Sequence, residues 1–362
     1  MLTAREQEIL NIIEHDPLIS QEDLAGKLGI SRSGVASHIH HLTRKGYIKG
    51  RGYVLSEPEF VSVIGSINMD ILGTPSGDLI RNNSNPGAIQ NSLGGAGRNI
   101  ALNLTQLDVA NYFISIYGND MYGDEFEADA KRRAMNLDCC ERTDQARTSS
   151  YMQVFDRKSN KYFAVDDMAI NERMTPEFLS VYLDRINHSK LCVVDANLSV
   201  AALTYIFDQV TVPIIAKTVS LNKNAHILVN LSKLFALVAT PKELKQIMVD
   251  LGQDQGTEAA AVSYLLGQGV KHILLFSEKT GLSYYSQDNQ LHVSKGHQLV
   301  NVGGANAAIT SVLVWGYLNQ LGWKYIIQLA YCAAILTCAV TESVNPHLDL
   351  DRLFDTHDEL FS

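Results

Sequence analysis

Long apolar runs are missing from this 362-residue chain. No stretch of about 18 apolar residues occurs, so no transmembrane helix is expected. Cysteine is scarce: Cys139, Cys140, Cys192, Cys332 and Cys338 are odd in number and lack metal-ligand spacing. That argues against a disulfide framework or a zinc module and leaves free, buried or half-buried thiols. Near the start, Arg5, Glu6 and Glu8 surround Ile9 and Leu10, so no apolar leader core is present there. Cytoplasmic residence is the expectation. What is present is ordinary for a globular protein, 46% hydrophobic and 19% charged. The length suits a small module plus one large α/β domain.

The formal charge of −9 is unevenly spread. Residues 1–56 hold seven Lys/Arg against six Asp/Glu, with His15, His38, His40 and His41, so the acidity lies in the remainder. A near-neutral head on an acidic body permits nucleic-acid contact by the head alone.

The head reads as helices with capping signals. Thr3 caps a helix carrying Ile9, Leu10, Ile12 and Ile13, which His15-Asp16-Pro17 ends. Ser20 caps a second, with Asp23 placed for a reciprocal capping box, and Gly29 makes the turn. Ser31 caps a third, with Val35, Ile39 and Leu42 inside and Arg44 among the outer residues. Residues 46–55 then read as two short strands around a Gly-Arg tip. This order, with Leu24-Ala25-x-x-Leu28-Gly29-Ile30-Ser31 and Leu42-x-x-x-Gly46-Tyr47-Ile48, resembles the winged helix-turn-helix of bacterial transcription regulators. The resemblance implies a DNA-binding domain over residues 1–56. Its third helix would offer Ser31, Arg32, Ser33, Ser37, His38 and His41 to base edges, while Lys49 and Arg51 on the wing would meet phosphates. A protein-interaction or dimerisation module is the alternative. Few arginines make one copy a weak phosphate binder, so a homodimer is expected.

From Phe60 onward, apolar strands alternate with helices, which predicts an α/β domain over 60–362 with a mostly parallel sheet. Strands are expected at Phe60–Gly65, Asn111–Tyr117, Leu191–Asp195, Pro213–Ala216, Leu234–Val238 and His272–Phe276. A Gly-rich turn, Asn301-Val302-Gly303-Gly304, leads into a small-residue helix from Ala305 to about Leu318, a form suited to aiming backbone N–H groups at an anion.

Several ordered stretches resemble the ribokinase-like (PfkB) sugar kinases: Ile64-Gly65-Ser66-Ile67-Asn68-Met69-Asp70, Gly94-Gly95-Ala96-Gly97-Arg98-Asn99-Ile100-Ala101, and Gly118-Asn119-Asp120-x-x-Gly123-Asp124. Ser84-Asn85-Pro86-Gly87, Asp195-Ala196-Asn197-Leu198 and Glu342-Ser343-Val344-Asn345-Pro346 look most like pseudouridine and related nucleoside kinases. The resemblance implies a three-layer ribokinase-like fold with a small β-lid near 71–93 and 148–170. It also implies a sugar or nucleoside site at Asn68, Asp70, Gly94, Gly95 and Asn99, and ATP with Mg2+ as cofactors if the chain is active. Chemically, a carboxylate at Asp70 accepts hydroxyl hydrogen bonds, and the two asparagines donate and accept.

The phosphate side departs from that pattern. The family's Asp-Thr-x-Gly-Ala-Gly-Asp-Ala-Phe, whose last Asp is the catalytic base, reads Asn301 at the first Asp, Asn306 at the last Gly and Ala307 at the base. Gly303, Gly304, Ala305 and Asn306 would form the anion turn. Asn-x-x-Glu near the metal becomes Thr240-Pro241-Lys242-Glu243, leaving Glu243 as a possible metal ligand. Thr-x-Gly becomes Phe276-Ser277-Glu278, which is expected to crowd the nucleotide, and Asp-Pro-Val-Ser becomes Lys217-Thr218-Val219-Ser220. Loss of a general base typically costs about 10²–10⁴-fold. Asp166 and Asp167 are the candidates to replace it. Two functions follow as expectations. One is a ligand-responsive regulator with impaired phosphotransfer, needing no cofactor; the other is an active ATP-dependent carbohydrate or pseudouridine kinase. An interaction protein binding neither ligand is a third.

Overall fold

Caps set where the first helices begin. The computed structural model describes residues 2–50, 59–157, 161–253, 256–295 and 303–362. The chain divides into two units, Met1–Glu59 and Phe60–Ser362. In the first, α1 (Ala4–His15) starts behind Thr3, whose hydroxyl accepts from the Glu6 amide while the Glu6 carboxylate accepts from the Thr3 amide. Ser20 caps α2 (Gln21–Leu28), and Gly29 ends it at φ +63°. The box expected with Asp23 is one-sided: Ser20 Oγ accepts from the Asp23 amide and donates to its carboxylate at 2.6 Å. An aspartate is one methylene shorter than the Glu that closes such a box, and this one folds onto the hydroxyl instead. Ser31 caps α3 (Arg32–Arg44). Ile9, Ile13, Leu24, Val35, Leu42 and Ile48 fill the core between them. Buried Glu6 pairs with Lys45 at 2.8 Å, tying α1 to the end of α3, and this bridge holds its carboxyl down at about 2. Of the two expected wing strands, only residues up to 50 are described, with Ile48 in a strand bridge.

The second unit opens with β1 (Val61–Ile64), β2 (Asn68–Pro75), β3 (Gly87–Gly94) and α4 (Ala96–Gln106). Next come β4 (Asn111–Gly118), α5 (Met121–Arg132), β5 (Cys140–Thr143), β6 (Ser149–Phe155) and β7 (Lys161–Asp167). The middle holds α6 (Pro176–His188), β8 (Cys192–Asp195), α7 (Val200–Gln209), β9 (Ile214–Lys217), β10 (Leu234–Ala239), α8 (Pro241–Asp250) and α9 (Glu258–Gly267). The last part is β11 (His272–Ser277), β12 (Gly281–Ser286), β13 (Gln290–Val293), α10 (Ala305–Leu318), α11 (Trp323–Cys338) and α12 (Leu350–Phe361).

Nine strands form one sheet in the order β13-β12-β11-β10-β9-β8-β1-β4-β5, parallel from β11 to β5 and antiparallel at β12 and β13. Strand alternation feeds two apolar layers. Val61, Val63, Val193, Leu274 and Phe276 pack with α10 and α11, whereas Ile64, Val194, Ile273 and Leu275 face the helices of the opposite side. Helix α10 is apolar all round, with eleven of its fourteen residues buried, as a helix within the core must be. β1 lies between β8 and β4, so the sheet order reverses beside its carboxyl end, which is where ligands enter such sheets. A separate four-stranded sheet, β3-β2-β6-β7, is formed by the two segments expected as a lid. All five cysteines are free thiols, four of them buried.

Candidate functional site

Pleating builds one wall. Strand residues two apart share a face, and the register places Ser92, Asp70, Tyr151 and Asp166 in one row across all four lid strands. All four line a cavity of about 290 Å³, together with Leu72, Gln153 and Lys161 of the same sheet. Asn68, at the start of β2, shares the lid face with Asp70, and the rest of the lining comes from strand ends and helix starts: Gly95, Asn99, Asn197, Lys217 and Ala307.

At the lid end the polar groups hold one another. Asn68 Nδ2 donates to Asp70 Oδ1 at 2.6 Å. Burial pushes the Asp70 carboxyl up to about 7, although this hydrogen bond and the charges of Arg98 and Lys161 oppose the rise. Gly94 and Gly95 make the room. A Cβ at Gly94 would overlap the Asp70 carboxylate, and Gly95 combines φ +100° with close approach to the Ser66 carbonyl. Arg98 donates to Asn99 Oδ1 at 3.0 Å, which fixes that amide and leaves its Nδ2 for the cavity. Asp129 anchors Arg98 at 2.5 Å, with both side chains buried. Burial alone would raise the Asp129 carboxyl, but Arg98, Arg132 and Arg133 hold it below the usual range.

Below this lies Asp195, part of a family-like motif to which the sequence assigns no role. Asp195, fully buried at the end of β8, accepts from Ser66 N at 2.8 Å, Ser66 Oγ at 3.0 Å, Gly97 N at 2.9 Å and Asn197 N at 2.8 Å. It ties the loop after β1 and the first turn of α4 to β8. Asn197 extends the chain to Ser66 Oγ at 2.8 Å and to Lys223 Nζ at 3.2 Å. Lys223 in turn pairs with Asp166 at 2.9 Å, joining lid to body. An Asp-x-Asn at the carboxyl end of a predicted parallel strand was the available signal.

The α10 end differs. Gly303 and Ala307 line the cavity there, whereas Gly304, Ala305 and Asn306 do not. Gly304 is instead a packing position, where a Cβ would overlap the Ser343 carbonyl. Its own carbonyl accepts from the Ala307 and Ala308 amides. No side chain caps α10, and its first turn holds no acid. Lys217, at the end of β9, reaches the cavity, and among the described residues its ammonium makes no hydrogen bond or ion pair. Burial pushes its ammonium pKa down, with Glu243 and Asp195 opposing.

Three expectations are corrected. Glu243 is a helix cap: its Oε2 accepts from Thr240 N at 2.8 Å and Thr218 Oγ1 at 2.7 Å, and it does not line the cavity. Phe276 does not crowd a nucleotide, because strand alternation turns it into the core. Asp167, next to Asp166 in β7, faces away from the cavity. Asn301 and Arg51 lie outside the described residues. A second cavity, about 320 Å³ between α8 and α9, holds none of the expected site residues.

In the first unit, Ser31, Arg32, Ser33, Ser37, His41 and Lys49 are exposed and His38 is half-buried. The Ser31 hydroxyl is engaged, capping Gly34 N at 3.1 Å and meeting Ser33 Oγ at 3.0 Å.

Comparison with known proteins agrees with both units. The family model for pfkB family carbohydrate kinases matches residues 58–348, and that for winged helix-turn-helix DNA-binding matches residues 2–49. An uncharacterized sugar kinase of Escherichia coli, YeiI, is 33% identical over 354 residues, covering 97% of this chain and 98% of its own. The pseudouridine kinase of the same organism is 27% identical over 301 residues, 82% of this chain and 96% of its own. A ribokinase from Arabidopsis thaliana, solved with ribose and ATP, shares the fold at TM-score 0.72 and 18% identity, over 83% of this chain and 99% of that one. The chain belongs to the pfkB family of carbohydrate kinases and carries a winged helix-turn-helix domain ahead of its kinase-family domain.

Proposed function

We propose that this protein is a sugar- or nucleoside-responsive transcription regulator, acting in the cytoplasm, whose kinase-family domain binds its ligand and transfers phosphate poorly or not at all. One observation carries the reading. Ala307 stands on the cavity wall at the first turn of α10, and both carboxylates of the described lining, Asp70 and Asp166, stand on lid strands. An alanine takes no proton from an attacking hydroxyl. pfkB kinases use ATP and a divalent metal. Here the donor set does not fit that metal: Glu243 engages Oε2 in its cap and does not line the cavity, and the described residues hold no cluster of three acids, cysteines or histidines able to bind one. The exposed face of α3, beginning at Arg32 and Ser33, would enter the major groove.

A second copy of this chain is the expected partner. The lid face opposite the cavity exposes Ile89, Phe163 and Val165, 77%, 45% and 56% exposed, in an apolar patch. Pairing there would supply two heads for two half-sites. An active kinase is the second reading, favoured by Asp166, which lines the cavity; its ion pair with Lys223 counts against a role as base.

The regulator reading is tested by selecting genomic DNA fragments with the full chain and titrating ribose, pseudouridine and related nucleosides. We expect one ligand class to raise the melting temperature and change DNA affinity severalfold. DNA affinity that no ligand alters, or no DNA retention at all, would overturn it.

A further inference from the structure

The two ends of the cavity carry opposite chemistry, and the α10 end is built for an anion. Three lysines line the cavity, Lys161, Lys217 and Lys223, against two acids, Asp70 and Asp166. Lys223 is neutralised by Asp166 at 2.9 Å, and Lys161 donates to the Tyr151 hydroxyl at 3.1 Å on the lid. Lys217 is left. Asp195 and Glu243 favour its charge from a distance, but the oxygens they engage are turned to neutral donors and, among the described residues, neither makes an ion pair with it. A half-buried ammonium without a direct ion-pair partner is a place for a ligand's counter-charge. Ala307 and Gly303 share this cavity and belong to the uncapped, acid-free start of α10, whose amide dipoles favour the same charge. Where a carboxylate at position 307 would repel a phosphate, a methyl group admits one.

We propose that the ligand of this cavity is already phosphorylated, a phosphate monoester of a pentose or nucleoside. Its hydroxyls meet Asn68, Asp70 and Asn99, and its phosphate lies between Lys217 and the start of α10. This rests on the reading that the domain binds without transferring, and it names the ligand class.

Titration calorimetry on the full chain compares ribose with ribose 5-phosphate, pseudouridine with its 5′-monophosphate, and inorganic phosphate alone. At least one ester should bind tenfold or more tightly than its parent alcohol, with inorganic phosphate weaker than that ester. Lys217→Met and, separately, Ala307→Asp should remove that preference, lowering the ester's affinity tenfold or more beyond any change in the alcohol's; thermal melts confirm that each variant folds. Equal affinity for ester and alcohol, or equal losses for both in Lys217→Met and Ala307→Asp, would overturn the proposal. Transfer from ATP at ordinary kinase rates would instead overturn the functional reading on which it rests, so the two failures are separable.

Discussion

At the lid end of the cavity each polar side chain is positioned by another: Asn68 by Asp70, Asn99 by Arg98, Arg98 by Asp129. At the α10 end there is a methyl group, an uncapped helix and a lysine without a partner. A hydrogen-bonded network is rigid and expensive to leave half-made, so the lid end holds its polar groups in fixed positions. Under the proposed reading, the α10 end, with Ala307 where a proton acceptor would stand, serves anion binding and not phosphoryl transfer. The proposed function thus separates recognition from chemistry within about 290 Å³.

Breaking the lid-end network should have the largest effect. Asp129→Ala leaves Arg98 buried without its carboxylate, and we expect about 3–5 kcal/mol lower stability in denaturant unfolding, with loss of ligand binding as Asn99 is released. Asp70→Asn should keep the fold and weaken ligand binding about ten- to a hundredfold by calorimetry. Because the folded pKa of Asp70, about 7, stands above its ordinary 3.8, folding favours its protonated form. That contribution to stability is complete below 3.8 and is lost as pH rises through about 7; Asp70→Asn should flatten the slope. Ligand affinity should run the other way in the native protein, rising as the carboxyl ionises.

Smaller effects sharpen the contrast. Thr240→Ala removes one half of the α8 cap and should cost about 1 kcal/mol in thermal unfolding without altering ligand affinity, as expected if Glu243 is structural. Glu6→Gln, in the head, should leave the cavity untouched. Its wild-type carboxyl is held at about 2, below its ordinary 4.5, so its stabilisation is present above 4.5 and lost as pH falls through about 2. Hydrogen exchange of α1 and α3 should therefore be faster in the variant near neutral pH, and the difference should close in acid.

The sequence showed the sheet strands, the capped helices and the Asn68/Asp70 turn because their signals are local: apolar runs, Ser and Thr before helices, glycines at turns. It did not show Asp195, whose partners Ser66 and Gly97 lie 129 and 98 residues away, or the Arg98–Asp129 pair across 31. Thr240-Pro241-Lys242-Glu243 carries two signals, a family-like motif and a capping box, and in the fold Glu243 closes the capping box. Phe276 was misplaced for a similar reason, since the period of two in β11 already assigned it to the core. Lys217 was visible as a departure from the family pattern. Only the fold places it in one cavity with Ala307.

The most direct test of this separation is transfer of labelled γ-phosphate from ATP to pseudouridine and to ribose by the purified full chain. The account predicts turnover at least about a hundredfold below the 1–100 per second typical of kinases. Turnover within that range on either substrate would contradict it.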